Sequence, residues 1–299
     1  MSKQIDTLVE DIYDVLTNDT DHRLADVDSV SYGAALIEHM QRSLDGEEFR
    51  PMDKDKVWAS MLGNNCMRQL WYKYNTPNPE TLGGDVKYKF LYGNMIEETT
   101  LAIAKAAGHA VRHEQRRYEV TYTYNWDGKI RAVTVSGRID AIIDNVIVDV
   151  KSASGFSYKK YTEQGLTDTT DTFGYRAQLD FYRQAHLLET GEALDTAFLF
   201  VDKQLGKHAI VPVANTTDIK GRAIDIHQVV NGEEEDAERI ADFEQPDGKS
   251  GNMKLCTKCS YCDYKKACHP SVRGFAYSNK PVYLTKVVKE PRVPEFEVE

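Results

Sequence analysis

Long apolar runs are missing from this 299-residue sequence: none approaches the roughly 18 residues that a membrane-spanning helix needs. Its first residues, MSKQIDTLVEDIYDVLTN, place acidic side chains inside the apolar pattern and so lack the apolar core of a signal peptide. No internal repeat is present. We therefore expect a cytoplasmic protein without a membrane partner.

An excess of positive charge is also missing, because 37 Lys and Arg stand against 47 Asp and Glu, for a formal net charge of -10. This balance argues against a protein that coats nucleic acid through a global basic field, but it permits a local basic groove. The pairs Arg116–Arg117 and Lys159–Lys160 are candidates for phosphate contacts. For either pair alone, solvated surface charge is the ordinary explanation.

Cysteines are few and unevenly placed. There are five, and four of them crowd into the stretch CTKCSYCDYKKAC. In a chain without a secretory signal, this clustering favours a metal or an iron–sulfur cluster over disulfides.

Helical periodicity marks several segments. We predict helices over residues 4–17, from near Ser31, over 56–75 with a break at Gly63, over 88–108, over 172–191, and one or two over 218–243.

Strand alternation marks other segments. Residues 110–124 and 129–144 flank NWDGK, whose Asp-Gly is typical of a hairpin turn. A third strand, NVIVDVK, follows through an Asp144–Asn145 turn. Together these strands predict an antiparallel meander. Residues 196–213 predict another hairpin. Helices and strands in this order predict an α/β domain with a mixed sheet covered by helices.

The strand in GRIDAIIDNVIVDVK carries charge. Alternation places Asp149 and Lys151 on one face and Val148 and Val150 on the other, and Asp140 lies across the hairpin. Two close carboxylates repel unless a cation lies between them, and carboxylates with water suit Mg²⁺ or Mn²⁺. A lysine beside them can orient or deprotonate water, or neutralise charge at a phosphorus centre. For Asp-x-Lys alone, a turn aspartate and a surface salt bridge remain the ordinary explanation.

The same stretch resembles the core of the PD-(D/E)XK nucleases, in which an acid before a hairpin precedes an acid-x-lysine strand. Asp140, Asp149 and Lys151 match, although Ile139 replaces the usual proline. QLDFY matches the Gln-x-x-x-Tyr helix motif of the RecB-like exonucleases at Gln178 and Tyr182. The resemblance implies a restriction-endonuclease-like fold, with Gln178 and Tyr182 positioning DNA or bracing the site.

The same family carries a glycine followed four residues later by histidine, or by glutamate in some branches. In YGNMIEE this position is Glu97, placed by Gly93. The resemblance thus implies Glu97, Asp140 and Asp149 as metal ligands, with the Val150 carbonyl as a further ligand. Periodicity alone leaves Glu98 open as the alternative to Glu97.

Cys259, Cys262 and Cys268 have the spacing C-x2-C-x5-C, and Cys66 in NNCMRQLWYKY is the candidate fourth ligand. This arrangement is similar to RecB-like nucleases with a structural [4Fe–4S] staple, among them the AddB nuclease domain and the CRISPR-associated RecB-like exonucleases. A local Zn²⁺ site is the alternative; it would use Cys256 instead of Cys66, which would then be a buried thiol.

We therefore predict a helical region over 1–57, a nuclease domain over 58–275 closed by the cysteine cluster, and an extended tail over 276–299. The implied activity is a Mg²⁺- or Mn²⁺-dependent DNA exonuclease acting on single-stranded ends, in recombination, repair, or phage or CRISPR DNA processing. The alternatives are a noncatalytic DNA-binding or adaptor protein with the same fold, and a redox protein.

Overall fold

The computed structural model describes residues 3–18, 23, 27–44, 52–76, 84–214, 216–278 and 280–298. The chain forms two compact units: the first comprises Met1–Glu48, Asp55–Gly63 and Leu82–Ile224, and the second comprises Phe49–Lys54, Asn64–Thr81 and Asp225–Glu299.

Most α-helices of the described residues lie in segments with predicted helical periodicity, whereas Gly155–Gln164, Thr257–Ser260 and Lys265–Cys268 lie in segments with no predicted helix. The α-helices of this part of the chain are α1 (Leu8–Asn18), α2 (Ser29–Leu44), α3 (Met67–Asn75), α4 (Gly84–Ala106), α5 (Gly155–Gln164), α6 (Tyr175–Thr190), α7 (Ile219–Asn231), α8 (Thr257–Ser260) and α9 (Lys265–Cys268). The helix predicted over 218–243 ends at Asn231 and is followed by a 3₁₀ turn, Glu234–Asp236. The segment predicted to be helical from residue 56 begins instead with a strand.

The strands differ in burial: Arg117–Trp126 alternates along its length, whereas Ala141–Ile143 and nearly all of Asp195–Asp202 are buried. The strands are β1 (Lys56–Trp58), β2 (Val111–Arg112), β3 (Arg117–Trp126), β4 (Lys129–Arg138), β5 (Ala141–Ile143), β6 (Val146–Ala153), β7 (Asp195–Asp202), β8 (His208–Pro212), β9 (Glu244–Pro246), β10 (Met253–Leu255), β11 (Arg273–Ala276), β12 (Pro281–Lys286) and β13 (Glu295–Phe296).

The described residues of the first unit form two sheets. The larger has the order β2-β5-β6-β7-β8 and is mixed, because β6 and β7 are parallel while the other neighbours are antiparallel. The smaller has the order β1-β4-β3, with β3 and β4 forming the predicted hairpin. The predicted α/β class with a mixed sheet is confirmed. The predicted single meander is wrong, since β4 and β5 belong to different sheets.

A hydrophobic core covers one face of the larger sheet. Leu8 and Ile12 of α1 and Leu101 of α4 pack against Val148 and Val150 of β6. Removing this apolar surface from water is the main stabilising contribution. Val148 and Val150 thus face the core, as the alternation predicts, which leaves Asp149 and Lys151 for the opposite face.

In the second unit, the strands of the described residues form an antiparallel sheet with the order β13-β11-β12-β10-β9. Its small core joins Leu255, Val272 and Val298. Within the predicted tail, the described residues supply the strands β12 and β13 and the buried side chain of Val298, so this part of the chain contributes to the sheet and its core.

None of the helices in the described ranges combines the length and the apolar character needed to cross a bilayer.

Candidate active site and cysteine cluster

The β5–β6 hairpin brings the two aspartates of the predicted motif together. Asp144 and Asn145 form its tight turn with φ of 48° and 66°, and Ala141 pairs with Val148 across the strands. Asp144 accepts a 3.0 Å hydrogen bond from the Ala110 N–H and contacts Nδ1 of His109 at 2.6 Å. It is therefore a turn residue outside the site, as predicted. Asp140, just before β5, lies beside Asp149 of β6.

Asp149 is the most deeply buried carboxylate of the group, with 1% of its surface exposed. Its Oδ1 forms an ion pair with Nζ of Lys151 on the same face of β6. Its Oδ2 has no hydrogen-bond partner within the described part of the chain. A buried carboxylate oxygen without a donor is costly, and a cation is a natural partner for it.

Asp140 is tied to the same strand. Its Oδ2 accepts a 2.7 Å hydrogen bond from the backbone N–H of Val150. Burial, together with the charges of Asp149 and Glu97, raises the pKa of Asp140 well above its usual range. Val150 is buried, and the role of its carbonyl as a metal ligand stays a prediction.

Glu97 faces these aspartates from helix α4. Burial and the charge of Asp149 raise the pKa of Glu97 to about 7. An added Cβ at Gly93 would lie 3.5 Å from Oγ of Ser152, so the helix approaches β6 closely at this turn. The neighbouring Glu98 instead contacts Nε2 of His39 at 3.0 Å. Of the two alternatives, Glu97 is the one that lies with the aspartates.

Gln115 is a site residue that the sequence does not reveal. Its side-chain amide donates a 2.7 Å hydrogen bond to Glu97, and its backbone N–H donates one of 3.1 Å to the carbonyl of Asp140. It thereby connects two of the predicted ligands. Its backbone φ of 54° is uncommon for a non-glycine residue, but no sequence motif marks it.

Gln178 and Tyr182 share one face of helix α6, as their spacing predicts. The Gln178 amide donates a 2.9 Å hydrogen bond to the Tyr182 hydroxyl. Burial and the nearby charge of Asp149 raise the pKa of Tyr182. The Tyr182 ring packs where Gly137 has no side chain: a Cβ added there would lie 2.7 Å from Cε1 of Tyr182 and 2.6 Å from Cβ of Ala59.

Lys151 is held as a cation by its surroundings. Burial opposes the charged form, but the charges of Asp149 and Asp140 outweigh it and raise the pKa of Lys151. Its Nζ also lies 5.6 Å from the centre of the Tyr175 ring, a second contact that the sequence motif does not reveal.

The other basic candidates differ in their surroundings. Lys159 is paired with Glu163 at 3.9 Å, and Arg116 is paired with Glu189. Arg117 lies 3.9 Å from Glu119. Lys160 instead lies 3.4 Å from Oγ1 of Thr172. Three of the four thus have carboxylate partners on the surface.

Glu97, Asp140 and Asp149 offer the hard oxygen donors that Mg²⁺ and Mn²⁺ prefer. Across the described ranges, no group of three or more His, Cys, Asp or Glu side chains has its ligand atoms arranged to hold a metal ion. Each of these carboxylates already contacts a donor in the protein. Asp149 pairs with Lys151, Asp140 accepts from the Val150 N–H, and Glu97 accepts from Gln115. The donor set and the Oδ2 of Asp149 nevertheless fit a divalent cation by their chemistry.

Four of the five cysteines line one cavity in the second unit. They are Cys66, Cys259, Cys262 and Cys268. Burial, together with the proximity of Cys66 and Cys268, raises the pKa of the Cys262 thiol to about 11. Arg239 and Arg68 oppose a similar increase at Cys268. Four thiols with cations beside them are a donor set that fits either an iron–sulfur cluster or zinc.

Cys256 does not line this cavity, although its thiol contacts that of Cys259. It caps helix α8, where its Sγ accepts a 3.5 Å hydrogen bond from the Cys259 N–H. Cys66, at the start of α3, is buried with 8% of its surface exposed. Cys66 thus lines the cavity with Cys259, Cys262 and Cys268, while the ligand set and the identity of the bound group stay predictions.

A family model matches most of the length of this chain. Residues 22–269 match the family model of the PD-(D/E)XK nuclease superfamily. Among solved structures, the chain is similar to an alkaline exonuclease from Laribacter hongkongensis, with 14% identity, a TM-score of 0.38, and coverage of 60% of this chain and 90% of that one. The protein SSO0001 has 15% identity, a TM-score of 0.45, and coverage of 79% and 95%. No curated protein matches the chain.

Proposed function

Because the chain belongs to the PD-(D/E)XK nuclease superfamily, we propose that it is a metal-dependent DNA exonuclease that hydrolyses phosphodiester bonds. The observation that carries this proposal is the convergence of Glu97, Asp140 and Asp149 around Lys151. The α/β fold is consistent with the restriction-endonuclease-like fold that the resemblance implies.

In this proposal, Glu97, Asp140, Asp149 and the Val150 carbonyl hold Mg²⁺ or Mn²⁺. Such an ion supplies Lewis-acid polarisation of the phosphate and lowers the pKa of a bound water. Lys151 acts as an ammonium, because its ion pair with Asp149 favours the charged form. It therefore neutralises charge that develops on the phosphate oxygens, rather than removing a proton from water.

The remaining motif residues have supporting roles. Gln178 orients the hydroxyl of Tyr182 and so braces the wall of the site beside Gly137. Of the two lysines on α5, we assign the phosphate contact to Lys160, because Lys159 is already paired with Glu163. The resemblance to RecB-like exonucleases supports single-stranded DNA ends as the substrate, in recombination, repair, or phage or CRISPR DNA processing.

We assign a structural [4Fe–4S] cluster to Cys66, Cys259, Cys262 and Cys268, which line one cavity. A cross-link between positions 66 and 268 closes a long loop and removes conformational entropy from the unfolded chain. Zinc in the same four-thiolate site is the alternative bound group.

The test is an anaerobic preparation with an absorption spectrum and metal analysis, followed by digestion of end-labelled single-stranded DNA with Mn²⁺. We expect the wild-type protein to shorten the DNA, and Asp149→Asn and Lys151→Ala to lose this activity while keeping their circular dichroism spectrum. Full activity in either folded variant would overturn the mechanism. DNA binding without any cleavage by the wild type would favour the noncatalytic adaptor.

A further inference from the structure

An aromatic pair extends from the proposed catalytic lysine to the protein surface. The ring of Tyr175 lies 5.6 Å from Nζ of Lys151, and the ring of Phe173 lies 5.6 Å from the ring of Tyr175, at an interplanar angle of 34°. Tyr175 is half-buried, whereas Phe173 is 46% exposed. A large apolar ring is thus presented to solvent one ring away from the site.

A positive charge lies beside this exposed ring. Nζ of Lys160 is 3.4 Å from Oγ1 of Thr172, the residue before Phe173, and 4.8 Å from the centre of the Tyr161 ring. The Lys160 cation on helix α5 therefore contacts the residue next to the exposed ring in the loop before α6. This is the combination with which proteins hold single-stranded nucleic acid, because a cation neutralises the phosphate and a ring stacks on the base.

The segment that carries Phe173 is already ordered. The carboxylate of Asp171 accepts 2.9 Å hydrogen bonds from the N–H groups of Tyr175 and Arg176. Thr170 bonds the carbonyl of Gly165 at 2.7 Å and accepts from the Thr167 N–H, also at 2.7 Å. A platform fixed in advance loses little conformational entropy when a ligand stacks on it.

Backbone contact fixes the end of the same segment. Gly174 has φ of 74°, and a Cβ on Gly63 would lie 2.1 Å from its carbonyl oxygen. Only glycines allow this close approach. The backbone contact between Gly63 and Gly174 therefore fixes the position of Phe173 relative to helix α6.

We propose that Phe173, Tyr175 and Lys160 form a binding subsite for one unpaired nucleotide next to the cleaved phosphate, with its base stacked on Phe173 and its phosphate facing Lys160. This inference rests on the proposed nuclease function and specifies how that site selects unpaired DNA. A base inside a duplex has both faces covered by neighbouring bases, so it must unstack before it can lie on the ring.

The test compares wild type, Phe173→Ala, Phe173→Trp and the control Leu188→Ala, which removes an exposed apolar side chain from helix α6. Binding of a fluorescent single-stranded oligonucleotide is measured by anisotropy without added metal. We expect Phe173→Ala to weaken binding about tenfold, as the loss of one stacked base predicts, while Phe173→Trp and Leu188→Ala stay close to wild type.

Cleavage of oligonucleotides with and without a terminal base, assayed with Mn²⁺, completes the test. We expect Phe173→Ala and removal of the terminal base to lower the cleavage rate by similar factors. When the two changes are combined, the decrease should be no larger than with either change alone. Equal binding by wild type and Phe173→Ala, or additive losses, would overturn the subsite. If the wild type binds DNA through Phe173 but never cleaves it, the nuclease proposal fails and the subsite stands.

Discussion

The backbone N–H of Val150 donates a 2.7 Å hydrogen bond to Oδ2 of Asp140. Val150 lies between Asp149 and Lys151 on strand β6. This hydrogen bond therefore holds Asp140 beside both of these residues. The position of Asp140 therefore depends on its acceptor oxygen rather than on its negative charge. A substitution that keeps the acceptor and removes the charge can separate these two contributions.

Asp140→Asn keeps the acceptor and removes the charge. We expect the folded protein to be at least as stable as wild type, because repulsion with Asp149 and Glu97 is relieved. Cleavage should fall more than about a hundredfold, since losses of ten- to a hundredfold are already typical of residues that only support a metal ligand. Urea unfolding and DNA digestion measure the two effects. Activity within twofold of wild type would argue against Asp140 as a metal ligand.

Glu97→Gln and Glu98→Gln form a matched pair of neighbouring substitutions. We expect Glu97→Gln to lose metal-dependent cleavage, because Glu97 lies with the aspartates. Glu98→Gln should keep cleavage and lose about 1 kcal/mol of stability or less, since glutamine retains a hydrogen-bonding group beside His39. Cleavage rates under saturating Mn²⁺ distinguish them. The reverse pattern would assign the ligand to Glu98.

Divalent cations should stabilise the protein before any substrate is added. A ligand that binds only the folded state at a hundred times its Kd adds about 2.7 kcal/mol. We expect Mn²⁺ to raise the melting temperature of wild type and to leave that of Asp149→Asn unchanged at matched ionic strength. An equal increase in both proteins would show that the ion binds elsewhere.

Gly137→Ala should push Tyr182 out of place. The added methyl group would lie 2.7 Å from the Tyr182 ring, and overpacking of this kind typically costs about 1–3 kcal/mol. Gly33→Ala is the control, because the added methyl in helix α2 meets no atom of the described residues within 4 Å; it should be neutral or stabilising by up to about 1 kcal/mol. Chemical denaturation of both variants measures the difference. Equal stability would contradict the close packing.

Cys66→Ser and Cys256→Ser distinguish the two possible ligand sets. We expect Cys66→Ser to lose the bound group and to be less stable, whereas Cys256→Ser keeps it, because Cys66 and not Cys256 lines the cavity with the other three thiols. Visible absorption with iron and zinc analysis of anaerobic preparations gives the result. Loss of the metal from Cys256→Ser alone would instead support the local zinc site.

Local pattern was sufficient to predict that three residues of the proposed site lie together, whereas their assignment as a site came from the family resemblance. The alternation of GRIDAIIDNVIVDVK and its Asp144–Asn145 turn predict that Asp140, Asp149 and Lys151 meet, because strand geometry and a tight turn depend on neighbouring residues alone. The α/β class followed in the same way. The sequence did not predict that β4 and β5 enter different sheets, since their separation occurs over two residues with no turn motif.

Tertiary structure decided which of several equivalent residues lie in the site. Adjacent glutamates on a helix point about 100° apart, and only the packing of α4 against β6 brings Glu97 to the aspartates while Glu98 contacts His39. The placement of Cys66 along one cavity with Cys259, Cys262 and Cys268 likewise depends on contacts across the second unit. No sequence motif marks Gln115, Tyr175 or Phe173. They lie near the proposed site only because the packed core brings segments together that are distant in the sequence.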